Sequence, residues 1–228
     1  TDDTAMMVAT MDAYITHQEF DAQAIANNFK LWKSTGKFGT RGYVFDIGQT
    51  TAQAIDRITD DTPYASSSGQ FSSGNGSIMR VAPAIAANFN NPAKAIGEAV
   101  ALSLITHGNS DTITYISAFT DEVIRGTKNP VNKLLRHYDV YQTYNTGSIM
   151  HSYNVAHLAA HYGSGFEGAL MEAAKLGYDT DTNCAVTGML VGSYMGYESI
   201  PKRFLKDLQQ HDMLLDMANK MYDIGARG

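Results

Sequence analysis

Apolar residues recur every three or four positions along nearly the whole chain, a spacing typical of amphipathic helices. Such helical faces run through residues 5–16, 24–32, 51–58, 78–87, 95–104, 111–125, 131–137, 149–162, 166–176, 182–195 and 213–224. Only residues 43–47 show a short alternation that suits a β-strand. We therefore predict an all-α fold, a multi-helix bundle that forms one domain over residues 1–228.

Loops and small residues divide this helical pattern. Residues 36–50 carry four glycines, and the Ser/Gly-rich residues 62–77 lead directly into the helix predicted at residue 78. Small residues also recur along the helix predicted at 182–195, at Gly188 and Gly192. This recurrence predicts that the helix packs closely against a neighbouring backbone.

The composition excludes several classes of function. The chain has 228 residues, 44% of them hydrophobic and 18% charged, as in an ordinary globular protein. A net charge of −6 argues against a nucleic-acid partner, and without a run of 18 apolar residues we expect no membrane contact. The single cysteine, Cys184, favours a reducing, cytoplasmic location. We further expect a monomer. A P-loop, a G-x-S-x-G elbow and a Cys–His nucleophile pattern are missing from the sequence, which disfavours those phosphoryl-transfer and hydrolase mechanisms.

Two acidic runs near opposite ends of the chain are the main candidates for chemistry. They are Thr1-Asp2-Asp3-Thr4 and Asp179-Thr180-Asp181-Thr182-Asn183, and each precedes a helical pattern. Either run alone is typical of a helix N-cap. If the fold brings them together, their carboxylates would repel, and a hard divalent cation with Asp and Thr oxygen ligands would relieve that repulsion. We predict that the two runs share a metal site.

Three other positions each allow a structural and a functional interpretation. The loop Gly74-Asn75-Gly76-Ser77 before a helix is either a plain turn or a cradle for an anion. His107 follows a helix, where it either caps the helix or contacts a ligand. Asp46 stands in the apolar frame Phe45-Asp46-Ile47 ahead of a helix, so it is either an N-cap or a general base.

These motifs, in this order, resemble those of the ADP-ribosylglycohydrolase family. The family's Thr-Asp-Asp-Thr motif resembles residues 1–4, and its Gly-Asn-Gly-Ser-x-x-Arg loop resembles residues 74–80. Its Thr-His pair resembles Thr106-His107, and its Leu-Gly-Gly-Asp-x-Asp-Thr-Asn motif resembles residues 176–183. The resemblance extends over nearly the whole chain.

The resemblance implies an all-α bundle with a central cleft that binds two divalent cations, Mg²⁺ or Mn²⁺. The implied metal ligands are Thr1, Asp2, Asp3, Asp179, Asp181 and Thr182. The implied catalytic residues are Asp46, as base, and Asp181. The implied ligand-binding residues are Gly74, Asn75, Gly76 and Ser77 around the diphosphate, His107, and Tyr178, whose ring could lie against ribose or adenine.

The implied reaction is hydrolysis of the glycosidic bond between ADP-ribose and an acceptor, which we expect to be a protein arginine. The partner would be an ADP-ribosylated protein or ADP-ribose itself. Two alternatives stay open. One is a non-catalytic ADP-ribose-binding or structural member of the family, and the other is a metal-dependent phosphohydrolase of a nucleotide diphosphate.

Two features depart from the family pattern. Tyr178 occupies the position of the family's second glycine before the acidic triplet. The family's opening helix, with a Gly-Asp element and often a catalytic Glu, has no counterpart in the sequence. We therefore expect that further residues precede Thr1.

Overall fold

The structure is a computed structural model that describes residues 1–66, 73–126 and 147–228. Within these ranges the chain forms eleven α-helices, joined by loops and by short 3-10 turns at Ile78–Arg80 and Tyr197–Ser199. The helices are α1 (Asp2–His17), α2 (Ala22–Thr35), α3 (Gln49–Arg57), α4 (Ala82–Ala86), α5 (Pro92–Leu104), α6 (Ser110–Arg125), α7 (Ile149–Tyr162), α8 (Gly165–Leu176), α9 (Thr180–Met195), α10 (Lys202–Asp207) and α11 (His211–Arg227).

Helix α1 lies at the centre of the described fold. It packs against α2, α4, α9 and α11, so it needs small or apolar residues around most of its circumference. Met6, Ala9 and Tyr14 are fully or almost fully buried in these contacts. The helix therefore holds its first turn, with Asp2 and Asp3, against the interior of the protein.

The second half of the fold is a group of three helices, α7, α8 and α9, each packed against the other two. Val155, Ala159 and Ala173 form a small apolar cluster between them. The prediction that α9 packs closely against its neighbours is confirmed, and Gly188 and Gly192 face side chains of α8 rather than its backbone. A Cβ on either glycine would meet side chains of α8 at ordinary contact distance, Leu170 Cδ2 at 3.8 Å and Phe166 Cε2 at 3.9 Å.

Residues 43–47, the candidate strand of the sequence, do not form one, in agreement with the predicted all-α fold. The described residues contain only isolated β-bridges, between Thr59 and Thr62 and between Gly74 and Ser148. Tyr43 and Phe45 are both more than half exposed, so this segment is not a half-buried strand.

The predicted helices otherwise agree with the observed ones, with two differences. Helix α10 was not predicted, because its six residues are mostly charged and carry no apolar repeat. The helix predicted at 78–87 is a 3-10 turn followed by the short α4. Pro83 lies in the first turn of α4 and has no N–H to donate, so it favours a helix start at this point. The helix predicted at 131–137 lies outside the described residues. No helix in the described ranges is both long and apolar enough to cross a membrane.

Candidate active site

The two acidic runs begin two helices that meet in the interior. Asp2 and Asp3 lie in the first turn of α1, and Asp179 is the N-cap of α9, with Asp181 in the first turn. Helix starts tolerate carboxylates because the aligned peptide dipoles favour negative charge there. Asp46 joins them from the loop before α3. Asp2, Asp46, Asp179 and Asp181 line one cleft of about 300 Å³, together with Thr182 and part of the glycine loop.

Burial and neighbouring negative charges disfavour the charged form of three carboxylates, Asp2, Asp3 and Asp46. Burial, followed by Asp3, Asp46 and Asp181, raises the pKa of Asp2 to about 7. The pKa of Asp46 is raised by desolvation and by Asp181. Burial also raises the pKa of Asp3, although a 2.5 Å hydrogen bond from Thr1 Oγ1 opposes this effect. The fold has therefore collected negative charge where it is costly.

This charge cluster suits a hard cation. The donors are carboxylate and hydroxyl oxygens, which Mg²⁺ and Mn²⁺ prefer. Asp3 Oδ1 is buried without a hydrogen-bond partner among the described residues. In the same ranges, no three His, Cys, Asp or Glu side chains are close enough to form a ready ligand set. A cation would thus have to draw these carboxylates closer together.

The glycine loop forms another part of the cleft wall. Asn75 N donates to Gly147 O at 3.0 Å, and Ile149 N donates to Ser73 O at 2.8 Å, so the start of α7 holds the loop. A Cβ at Gly76 would lie 2.9 Å from Thr51 Oγ1 and 3.1 Å from His107 Cε1. Position 76 therefore requires glycine for steric reasons, which agrees with a backbone that a ligand approaches closely.

Asn75 connects this loop to the second acidic run. Its Nδ2 donates to Asp179 Oδ2 at 2.7 Å and to Ser152 Oγ at 2.9 Å. The amide thus orients Asp179 within the cleft. The neighbouring Ser77 is almost completely buried and is not part of the cleft lining.

His107 lies beneath the loop and does not cap a helix with its side chain. Helix α5 ends at Leu104, and the imidazole packs against the position that a Gly74 or Gly76 side chain would fill. Burial, and then the charge of Arg80, lowers the pKa of His107 to about 3. The ring is therefore neutral at physiological pH.

Asp46 lies in the lining of the cleft, whereas Tyr178 lies outside it. The N-cap of α3 is Gly48, so the N-cap interpretation of Asp46 is wrong, and Asp46 instead faces the cleft. Tyr178 is 54% exposed, has a positive φ of 58° and is not part of the cleft lining. Thr1 is exposed, and it reaches the site through its hydrogen bond to Asp3.

Several residues that line the cleft were not among the predicted site residues. Thr50 and Thr51 line the cleft at the start of α3, Met79 lines it from the 3-10 turn after the glycine loop, and Gly147 lines it just before α7. The polar string Gln49-Thr50-Thr51 directly after the Asp46 segment was a usable signal. Met79 and Gly147 carried none, because only the tertiary fold brings them there.

The sequence and the fold both match those of a known protein family. The family model described as ADP-ribosylglycohydrolase matches residues 1–227, so the chain belongs to the ADP-ribosylglycohydrolase family. A solved structure titled "ADP-ribosylglycohydrolase-related protein complex" has the same fold, with a TM-score of 0.83 and 23% identity, over 99% of this chain and 81% of that one.

Curated relatives carry related names. ADP-ribosylarginine hydrolases of Serratia proteamaculans and Pseudomonas putida are each 24% identical over 97% and 98% of this chain. The chain spans 66% of the length of each of these two relatives. The ADP-ribosyl-[dinitrogen reductase] glycohydrolase of Rhodospirillum rubrum is 26% identical over 91% of this chain and 73% of its own length.

Proposed function

We propose that this protein hydrolyses the glycosidic bond that joins ADP-ribose to an acceptor, with divalent cations bound in the cleft. The main support is the convergence of Asp2, Asp46, Asp179 and Asp181 on one cleft that also contains a glycine-lined wall. Carboxylates supply metal ligands and a base, and a wall lined by glycines lets a diphosphate approach the backbone closely.

The cation ligands would be Asp2, Asp3, Asp179, Asp181 and Thr182, with Thr1 at the edge of the set. Bound Mg²⁺ or Mn²⁺ would polarise ribose hydroxyls and lower the pKa of water. We propose two cations, because the four carboxylates that line the cleft can carry more negative charge than one divalent ion neutralises.

The remaining cleft residues would position the substrate. The loop from Gly74 to Gly76 would accept the diphosphate against its backbone, which supplies binding energy remote from the scissile bond. Asp46 would take a proton from the attacking water, since its raised pKa brings it closer to the range in which a base works well. Water would add its hydroxyl to the anomeric carbon, and the acceptor nitrogen would leave with a proton.

We propose protein arginine as the acceptor, on the strength of the names of two relatives. The decisive experiment incubates the protein with an ADP-ribosyl-arginine peptide and a matched ADP-ribosyl-serine peptide, in Mg²⁺, in Mn²⁺ and in excess chelator. We expect free ADP-ribose from the arginine peptide in the presence of a cation only.

Each of the other possible product patterns would indicate a different function for this protein. Cleavage of the serine peptide alone would reject arginine as the acceptor. Release of AMP and ribose phosphate would indicate a phosphohydrolase instead. Binding of ADP-ribose without turnover of either peptide would indicate a non-catalytic member of the family.

A further inference from the structure

A fully buried arginine lies directly beneath the glycine loop. Arg80 is 0% exposed, and its guanidinium forms no ion pair within the described parts of the chain. It stacks 4.8 Å from the centre of the Phe29 ring and donates from Nη1 to Gly76 O at 2.6 Å. The charge of Asp2 favours the guanidinium without forming an ion pair with it, and burying a cation without an ion-pair partner is costly, so this position calls for a specific explanation.

The second contact of Arg80 leads to His107. Arg80 Nη2 donates to Thr106 Oγ1 at 2.7 Å, and the same Oγ1 lies 2.7 Å from His107 Nδ1. Thr106 is completely buried. The three side chains thus form a continuous hydrogen-bonded row that ends at the wall of the cleft.

The proton positions along this row follow from what each group can donate. A guanidinium only donates, so Thr106 Oγ1 accepts from Arg80 and keeps its own hydrogen to donate. Within the described residues, the acceptor available to that hydrogen is His107 Nδ1. If Nδ1 carried a proton, the buried hydroxyl hydrogen would have no acceptor, and an unsatisfied buried donor is costly.

We propose that Arg80 and Thr106 are positioning residues that fix His107 as the neutral tautomer with its proton on Nε2, the ring nitrogen beside the glycine loop in the wall of the cleft. The Nε2 atom lies next to the glycine wall, 3.2 Å from where a Gly74 Cβ would be. It has no hydrogen-bond partner among the described residues. The row therefore supplies a fixed N–H donor beside the backbone N–H groups of the loop, and its partner would be an anionic oxygen.

This inference rests on the proposed function only for the identity of that oxygen, which we assign to the ADP-ribose diphosphate. The positive charge of Arg80 also favours the neutral His107 ring, since it disfavours protonation of the ring and polarises the Thr106 hydroxyl. Its bond to Gly76 O also fixes the loop itself. One buried cation would thus orient both parts of the diphosphate site.

The test reads the His107 tautomer directly, without any ligand. Long-range ¹H–¹⁵N spectra of ¹⁵N-labelled protein, assigned with His107→Gln, should show Nε2 protonated and Nδ1 unprotonated, with no change between pH 5 and pH 8. Thr106→Val should alter this pattern, and Thr106→Ser should restore it. Thr120→Val is the matched control, because Thr120 is also completely buried but its hydroxyl has no partner in the described residues.

Calorimetric titration with ADP-ribose then measures how the tautomer affects binding affinity. Thr106→Val should weaken binding about fivefold or more, whereas Thr106→Ser and Thr120→Val should not. A wild-type ring protonated on Nδ1, or charged at pH 7, would overturn the inference even if no variant folds. An unchanged tautomer in folded Thr106→Val would overturn it as well. Failure of the wild type to bind ADP-ribose would count against the proposed function, and the ligand-free spectra would still decide the tautomer.

Discussion

At the scale of single residues, the shape of the cleft depends on glycines that lack a side chain as well as on the carboxylates that line it. Gly76 has Thr51 Oγ1 and His107 Cε1 within 3.1 Å of its missing Cβ. Gly97, on α5, has nothing within 4 Å of the corresponding point. The two glycines therefore offer the same substitution in a crowded and in an open position.

We predict that Gly76→Val weakens ADP-ribose binding at least about tenfold, or about 1.4 kcal/mol, because the side chain displaces the loop backbone and His107. Calorimetric titration measures the affinity. Gly97→Val is the control and should leave it unchanged. Equal affinity in the wild type and Gly76→Val would remove the loop from the ligand site.

Asp46 allows binding and turnover to be separated. We predict that Asp46→Asn keeps ADP-ribose affinity and loses about 10²- to 10⁴-fold in turnover of an ADP-ribosyl-arginine peptide, because the amide cannot accept the proton from water. Asp60→Asn, at a side chain 95% exposed on the surface, should keep the parental rate. A parental rate in Asp46→Asn would exclude Asp46 as the base.

At the scale of helices, the sequence predicts elements well where the apolar repeat is long and less well where tertiary contacts decide. The apolar repeat predicts the bounds of α6 and α7 almost to the residue, and the structure shows that Asn109 and Ser148 cap their starts and that glycines follow their ends. The short α10 has no such repeat. Similarly, both acidic runs and the glycine loop were visible in the sequence, but the contact of Asn75 with Ser152 depends on how α7 packs, which no local pattern encodes.

The helix caps provide a stability test at this scale. Asn109 Oδ1 accepts from the backbone N–H groups of Asp111 and Thr112, at 2.7 and 3.3 Å. We predict that Asn109→Ala lowers the free energy of unfolding by about 1 kcal/mol, because it removes the side-chain cap from the first turn of α6.

Urea denaturation measures this loss. Ser164 is the N-cap of α8 but makes no side-chain capping bond, so Ser164→Ala should cost clearly less. Equal losses in the two variants would show that the Asn109 side-chain bonds do not stabilise α6.

At the scale of the whole molecule, the carboxylate cluster links stability to pH. The pKa of Asp2 is about 7 in the folded protein and 3.8 in its ordinary state. Between these values the folded protein binds more protons than the unfolded chain, so its stability falls as pH rises through this window. The destabilisation is complete above pH 7 and absent below about pH 4.

We therefore predict that the melting temperature of chelator-treated protein falls between pH 5 and pH 7 and then levels off. Saturating Mg²⁺ or Mn²⁺ should raise it most at pH 7, because bound cation relieves the repulsion and binds the folded state preferentially. Scanning calorimetry checks both effects. The fall in melting temperature between pH 5 and pH 7 should be smaller in Asp2→Asn. The rise in melting temperature on adding cation should be lost in Asp179→Asn. A full rise in Asp179→Asn would exclude that ligand.

The position of the two acidic runs in the chain has a further consequence, for the order of folding. During folding, the cleft forms only when the first turn of α1 meets the first turn of α9. Contacts between such distant parts of a chain tend to form late because their loop-closure entropy is large. A cation bridging the runs would then stabilise the native state but not the transition state that precedes it. In stopped-flow experiments Mg²⁺ should slow unfolding and leave the refolding rate nearly unchanged, which makes the bound ion a determinant of how long the protein stays folded.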